Sequence, residues 1–301
     1  IVLVMLMATS LTTPVWAKPA SSQAPLTQQD IQLYYDELDY QRAVQTYLWS
    51  IPAMYMYSLR QSLSETFGAT PSNIPVWEDL MDNETVLLTP NSQVVYTFHF
   101  LDLKTDGPTV METAPGKLAA MLDSMWDQPI TDIGATGPDK GKGGKYLVLP
   151  PGYEGDVPDG YFVVRSPTYA NFSFIRANAA KVGFGDKALE YYRKHAKVYP
   201  LKSGPRAPTV KNVTGIPWNS LVPEDASAFQ WMHEIIDYEP AEAFGKELLG
   251  RLASVGIVKG KPFNPDARMQ KIFAQAAKEG VAMYRVIAFE SRQPDAVVYP
   301  G

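Results

Sequence analysis

Four stretches of this chain hold side chains whose types and spacing could do chemistry. In GPDKGKGGKYLVLPPGY, Gly137 to Tyr153, the residues Asp139, Lys140, Lys142 and Lys145 are set among glycines. Glycine tolerates left-handed or crowded backbone, so the cluster describes a tight loop that admits close approach, and lysines among free amides can form a concavity for an anion. It is not a nucleotide P-loop: Gly137 is followed five positions later by Lys142, where the pattern needs Gly-Lys-Ser/Thr, and a strand rather than a helix comes next. Around Trp126 lie Asp123, Asp127, Asp132 and Asp139. Two acids beside an aromatic platform would suit glycoside chemistry, in which carboxyl groups flank the scissile bond, and turn formation is the competing duty. Arg165, Tyr169 and Arg176 follow in RSPTYANFSFIRA, arginine being suited to a bidentate grip on carboxylate or phosphate. Asn91 and Tyr96 flank the start of an apolar run in TPNSQVVY.

Several chemistries are excluded. No Gly-x-Ser-x-Gly elbow occurs, and His233-Glu234-Ile235-Ile236-Asp237 ends in Asp where a helical zinc site needs a second His. The chain has three histidines and no cysteine, which rules out thiolate chemistry and disulfides, and no metal or cofactor is assigned. A net charge of −5 gives no reason to expect nucleic acid as a partner.

The positioning elements can be read from patterning. Residues 1–17 form an uncharged apolar run that ends Val15-Trp16-Ala17, too short to span a bilayer, and read as a secretory leader. This predicts a periplasmic or secreted protein that keeps no membrane association once the leader is cleaved. A flexible linker is expected over 18–38, with ordered structure starting near Asp30. Apolar residues at spacings of three and four from Ile31 to Thr66 predict a helix, divided or kinked near Pro52. The middle third predicts short strands: TVLLTP, VVYTFHFLDL, TVMETA, KYLVLPP and GYFVVRS. In the best of these, Val95, Thr97, His99 and Leu101 share one face while Tyr96, Phe98, Phe100 and Asp102 share the other. No helical pattern separates these runs, so the expected fold is α+β: an antiparallel, jelly-roll-like sandwich over 39–178 with flanking helices and a helical segment over 179–301. Pro223, Pro240 and Pro265 precede three of the later helices.

TPNSQVVY, the GPDKGKGGKYLVLPPGY loop and RSPTY, in that order, resemble the family catalogued as domain of unknown function 1254. The resemblance covers Tyr40 to Arg176 most closely. Family members commonly carry an Asn-x-Asp-Thr core after the Thr-Pro, from which Ser92, Gln93 and Val94 depart. The resemblance implies a jelly-roll-like β domain with helices and no defined activity. It also implies a second β-sandwich domain, of the type catalogued as unknown function 1214, after a Tyr-Pro-Gly segment such as Tyr299-Pro300-Gly301, so that this missing domain is itself an expected partner.

The reading that follows is an exported protein that binds a small polar or anionic molecule in a cleft of the β-rich domain, lined by Asn91, Tyr96, Asp139, Lys140, Lys142, Arg165 and Tyr169. The alternatives are a hydrolase or carbohydrate-active enzyme using Asp or Glu near Trp126, and a structural or interaction module; a homo-oligomer is compatible with each.

Overall fold

The computed structural model describes residues 25–87, 91, 93–116 and 118–290; the expected leader and the Tyr-Pro-Gly segment lie outside them. The chain divides into two units, residues 1–38 and 39–301. In the first, helix α1 (Gln28–Phe67) opens under a reciprocal cap: Thr27 Oγ1 donates to Asp30 Oδ2 at 2.6 Å and accepts from the Asp30 amide at 3.2 Å. The linker expected over 18–38 is therefore helical from Gln28 onward. Leu33, Tyr34, Tyr35 and Leu38 on this turn-and-a-half are exposed.

In the second unit, α1 continues without interruption through Pro52 to Phe67. Burial of Ala53, Met54, Met56, Leu59 and Leu63 beyond the proline holds the helix together despite the missing amide. The strands follow: β1 (Asn73–Trp77), β2 (Thr85–Val86) and β3 (Val94–Asp102), the short helix α2 (Leu103–Asp106), then β4 (Thr109–Thr113), β5 (Leu118–Ser124), β6 (Pro129–Ile133), β7 (Gly144–Leu149), β8 (Phe162–Arg165) and β9 (Ala170–Asn178). After α3 (Ala179–Val182) and α4 (Asp186–His195) come β10 (Lys197–Pro200), β11 (Thr209–Asn212) and β12 (Trp218–Asn219). Helices α5 (Ser227–Tyr238), α6 (Gly245–Ala253) and α7 (Ala267–Phe289) complete the described chain.

Six strands form one sheet in the order β11-β1-β3-β9-β5-β6, four form a second in the order β10-β4-β7-β8, and β12 pairs β2. The two larger sheets enclose a core of Val95, Leu101, Met111, Leu122, Tyr146, Val148, Ile175 and Val198. The opposite face of the six-stranded sheet, with Tyr96, Phe98, Phe100 and Phe172, packs under α1, α5, α6 and α7. The two faces of β3 thus divide as period-two alternation requires. The architecture is a two-sheet α+β sandwich with one helical layer. Its sheets are mixed rather than antiparallel, since β1·β11, β7·β8 and β2·β12 are parallel pairs. The segment after 179 is not purely helical either: β10 and β11 each extend a larger sheet at its edge. The Tyr47 ring of α1 packs on Gly280 of α7, where a Cβ would lie 2.5 Å from it.

Candidate functional site

The glycine loop closes on itself. Asp139, 3% exposed, accepts from the Gly134 amide at 2.8 Å and the Tyr146 hydroxyl at 2.6 Å through Oδ1, and from the Gly143 amide at 3.0 Å through Oδ2. The amides of Gly137, Lys140, Gly141 and Lys142 all donate to carbonyls within the loop. The concavity expected to receive an external anion is filled by the chain's own carboxylate. Gly143 has φ +73°, and a Cβ there would sit 2.8 Å from the Thr113 carbonyl, so the glycines serve close packing against β4. Lys140 and Lys142 point from exposed positions, while Lys145 lies 3.6 Å from Glu112.

A second irregular stretch, Arg165–Asn171, is knotted by buried polar groups. Ser166 Oγ donates to the Thr168 carbonyl at 2.7 Å and contacts Asn171 Oδ1 at 2.5 Å; Asn171 Nδ2 donates to the carbonyls of Thr168 and Tyr169 at 3.0 and 3.2 Å. Thr168 Oγ1 accepts the Met125 amide at 3.1 Å and so ties this knot to the β5–β6 hairpin that carries Trp126. From the other side comes Glu239, 1% exposed at the end of α5, whose carboxylate accepts the amides of Tyr169 at 2.5 Å and Ala170 at 2.9 Å. Burial pushes the Glu239 carboxyl up to about 7, against the opposing pull of those two amides. The α5 terminus is itself held by Lys259, whose Nζ donates to the carbonyls of Ile236, Asp237 and Glu239 at 2.7–2.8 Å. Beside it, Asp102 accepts from Arg60 at 3.0 Å and from the Tyr238 hydroxyl.

Two clefts share Ala243 as a lining residue. The first, of about 370 Å³, is lined by Trp49, Trp126, Gln128, Phe244, Lys246 and Arg251, among others. Trp126 stands edge-on to Phe244 with centroids 5.3 Å apart, and the Arg251 guanidinium lies 5.1 Å above the Trp49 ring. The second, of about 480 Å³, is lined by Pro151, Pro167, Tyr169, Pro240, Glu242 and Ala243. Tyr169 is edge-on to Tyr238 at 6.4 Å. On the hairpin behind Trp126, Asp123 is 3% exposed and its carboxyl is raised to about 6, first by burial and then by the neighbouring Asp127 and Asp132. Asp127 takes φ +53° in the turn, whose Ser124 Oγ accepts the amides of Trp126 and Gln128 at 3.2 and 3.3 Å. Among the described residues no cluster of three or more His, Asp or Glu is arranged to hold a metal.

These positions do not assemble the expected lining into one cleft. Tyr96 is buried against Phe98 and Phe174, its hydroxyl accepting the Asn91 amide at 2.9 Å, while Asn91 Oδ1 accepts the Gln93 amide in a turn. Tyr96 is paired with Arg176 at one end of β3 and β9, whereas Tyr169 follows the Asp102–Ala170 pair at the other. Six residues at about 3.3 Å each set the two ends about 20 Å apart. Arg165 bonds the Tyr153 carbonyl at 3.1 Å and lines a smaller cleft of about 270 Å³ with Pro138 of the glycine loop. Of the seven, Tyr169 lines a cleft of the helical side. His99 is wholly buried between the sheets, where burial lowers its imidazole to about 4, and His233 lies 3.5 Å from Asp237, one turn along α5.

Sequence reasoning passed over Glu239, Trp49, Phe244 and Arg251. Each lies in an amphipathic helix or its flank, where an acid or an aromatic residue reads as ordinary helix composition. Pro240 after Glu239 was the available signal, because it stops α5 and holds Glu239 in extended backbone.

No curated protein matches the sequence. The VPA0106 protein of Vibrio parahaemolyticus, known from a crystal structure, shares the fold with a TM-score of 0.59 at 12% identity over 84% of this chain, which spans 60% of that protein's length. An uncharacterized protein from Burkholderia cenocepacia aligns over 60% of this chain and 52% of its own at 11% identity, with a TM-score of 0.27. Residues 72–200, from the residue before β1 to the end of β10, match the family described as Protein of unknown function (DUF1254).

Proposed function

We propose that the protein binds a small polar ligand with an apolar ring face in the cleft between the Trp126 hairpin and α6. The observation that carries this reading is the convergence of two indoles with Gln128, Lys246, Glu247 and Arg251 on one cleft of about 370 Å³. That size and mixture, aromatic walls with a few polar groups to fix orientation, is what small-molecule sites use. Arg251 is paired with Glu247 at 3.3 Å, and the glycine loop spends the amides of Gly134, Gly137, Lys140, Gly141, Lys142 and Gly143 on its own acceptors, so an uncharged ligand suits these walls better than a strong anion. Titration of the intrinsic tryptophan fluorescence with monosaccharides, nucleosides and aromatic acids tests it. A saturable change that Trp126→Ala weakens at least tenfold, with Lys140→Ala and Arg165→Ala unaltered, supports the site; no saturable response to any ligand overturns it.

A second reading, a glycoside-cleaving enzyme, is favoured by Asp123, whose carboxyl at about 6 has the elevated affinity for a proton that a general acid needs. Under it, Asp123→Asn abolishes turnover of aryl glycosides while leaving ligand affinity within twofold. Export rests on the leader-like residues 1–17; among the described residues no helix is long and apolar enough to cross a membrane. Sequencing the N-terminus of the mature protein from fractionated cells tests the expected cut after Ala17.

A further inference from the structure

We infer that the two clefts act as one groove for a neutral linear oligosaccharide, an inference that rests on the Trp126 cleft being a binding site. Ala243 lines both, so the clefts meet at the short turn Ala241–Ala243 between α5 and α6. The groove runs from Trp49 and Trp126, past Phe244 and Ala243, to Tyr169.

An aromatic ring stands in each half, and each is held from behind. Trp126 rests edge-on against Phe244, on a hairpin anchored to Thr168. Tyr169 rests edge-on against Tyr238 with its own amide fixed by Glu239. Platforms held in this way give up little conformational freedom when a ligand arrives. A sugar ring presents a face of C–H bonds, which stacks on such a platform, and a rim of hydroxyls, which both donate and accept. The groove supplies both kinds of partner: donors from Gln128, Lys246 and Arg251, and acceptors from Glu242 and Glu247.

The occupant's charge and length follow from the same walls. Arg251 is paired with Glu247 at 3.3 Å, and Lys246 and Lys104, the latter 5.4 Å from the Tyr169 ring, share the walls with Glu242, a near balance that provides no strong field to attract a polyanion. Aromatic platforms in two joined clefts call for a ligand with repeated ring faces, which a single sugar does not have. Pro151, Pro167 and Pro240 have no amide hydrogen, so this wall gives a peptide no strand edge to pair with.

The experiment is calorimetric titration of the full chain with neutral glucose, mannose, galactose and N-acetylglucosamine series of one to six units, beside an aromatic acid and a proline-rich peptide as controls. In at least one series the affinity should rise tenfold or more from monomer to tetramer. Tyr169→Ala should remove that gain and leave the monomer's affinity within twofold, whereas Trp126→Ala should weaken every length. Tyr169→Leu, which keeps bulk without the ring, should behave as Tyr169→Ala and guards against a misfolded variant. Saccharide binding that depends on Trp126 but not on length overturns the groove and leaves the single cleft standing. Binding of the aromatic acid alone does the same. Tighter binding of the peptide than of any saccharide overturns the oligosaccharide assignment, and binding of nothing overturns both readings.

Discussion

The glycine loop, Gly134–Gly144, and the knot, Arg165–Asn171, are both irregular stretches beside a strand, and both are stapled by a buried carboxylate that accepts backbone amides. In the first, the acid is Asp139, inside the loop it holds. In the second, it is Glu239, about seventy residues away at the end of α5. A loop that satisfies its own amides is closed to ligands, however much its composition resembles an anion site. A loop that takes its acceptor from a distant helix brings that helix alongside, and a groove forms where the two surfaces meet. The cleft of about 480 Å³ is lined by Ser166, Pro167 and Tyr169 of the second loop for this reason, while Lys140 and Lys142 of the first stand in solvent.

The comparison can be broken most severely at Asp139. Asp139→Ala leaves two amides and the Tyr146 hydroxyl without their acceptor and should cost about 4 kcal/mol in urea unfolding, with ligand affinity unchanged. A weakened ligand instead would place the binding site at the glycine loop after all.

Glu239 gives the next effect, one that depends on pH. Its carboxyl holds a proton to about 7 in the folded state against about 4.5 unfolded. The native state therefore binds more protons than the unfolded state across that window, so ionisation works against folding and stability falls as pH rises through it. The contribution is up to about 3 kcal/mol. Glu239→Gln should flatten the stability profile between pH 4.5 and 7 relative to the parent protein, as followed by thermal melts. An unchanged slope would mean that Glu239 is ionised throughout.

Thr168→Val removes the partner of the Met125 amide and should cost about 2 kcal/mol while loosening the Trp126 hairpin. Its readout is a several-fold loss of ring-ligand affinity. The smallest change is expected at the exposed lysines: Lys140→Ala and Lys142→Ala should each stay within about 0.5 kcal/mol of the parent and leave binding intact.

Much of the fold was legible because its signals are local. The β3 alternation assigned its two faces correctly, with Val95 and Leu101 between the sheets and Tyr96, Phe98 and Phe100 under the helices. Pro265 stands two residues before α7, whereas Pro223 and Pro240 stand four and five residues before α5 and α6. Strand β9 was hidden, since ANFSFIRAN lies against a basic segment and is buried on both faces over its first half, which removes the polar alternation. The parallel partners β11 and β12 were hidden too, because each is defined by a distant strand rather than by its own short sequence.

Of the site, the sequence by itself determined the materials: the acids around Trp126, the RSPTY segment, the glycines that let one loop close tightly, and the family pattern that contains them; the β5–β6 hairpin that carries Trp126 was not among the expected strands. Residue spacing fixes which backbone turns are allowed and which side chains share a face, and those are short-range quantities. Only the tertiary structure decided that Asp139 fills the loop's own concavity, that Tyr96 and Tyr169 stand at opposite ends of a strand pair, and that Trp49, Phe244 and Glu239 arrive beside the knot. Those outcomes depend on how helices beyond residue 220 pack across the six-stranded sheet, and burial of the aromatic core, not the spacing of polar residues, sets that packing.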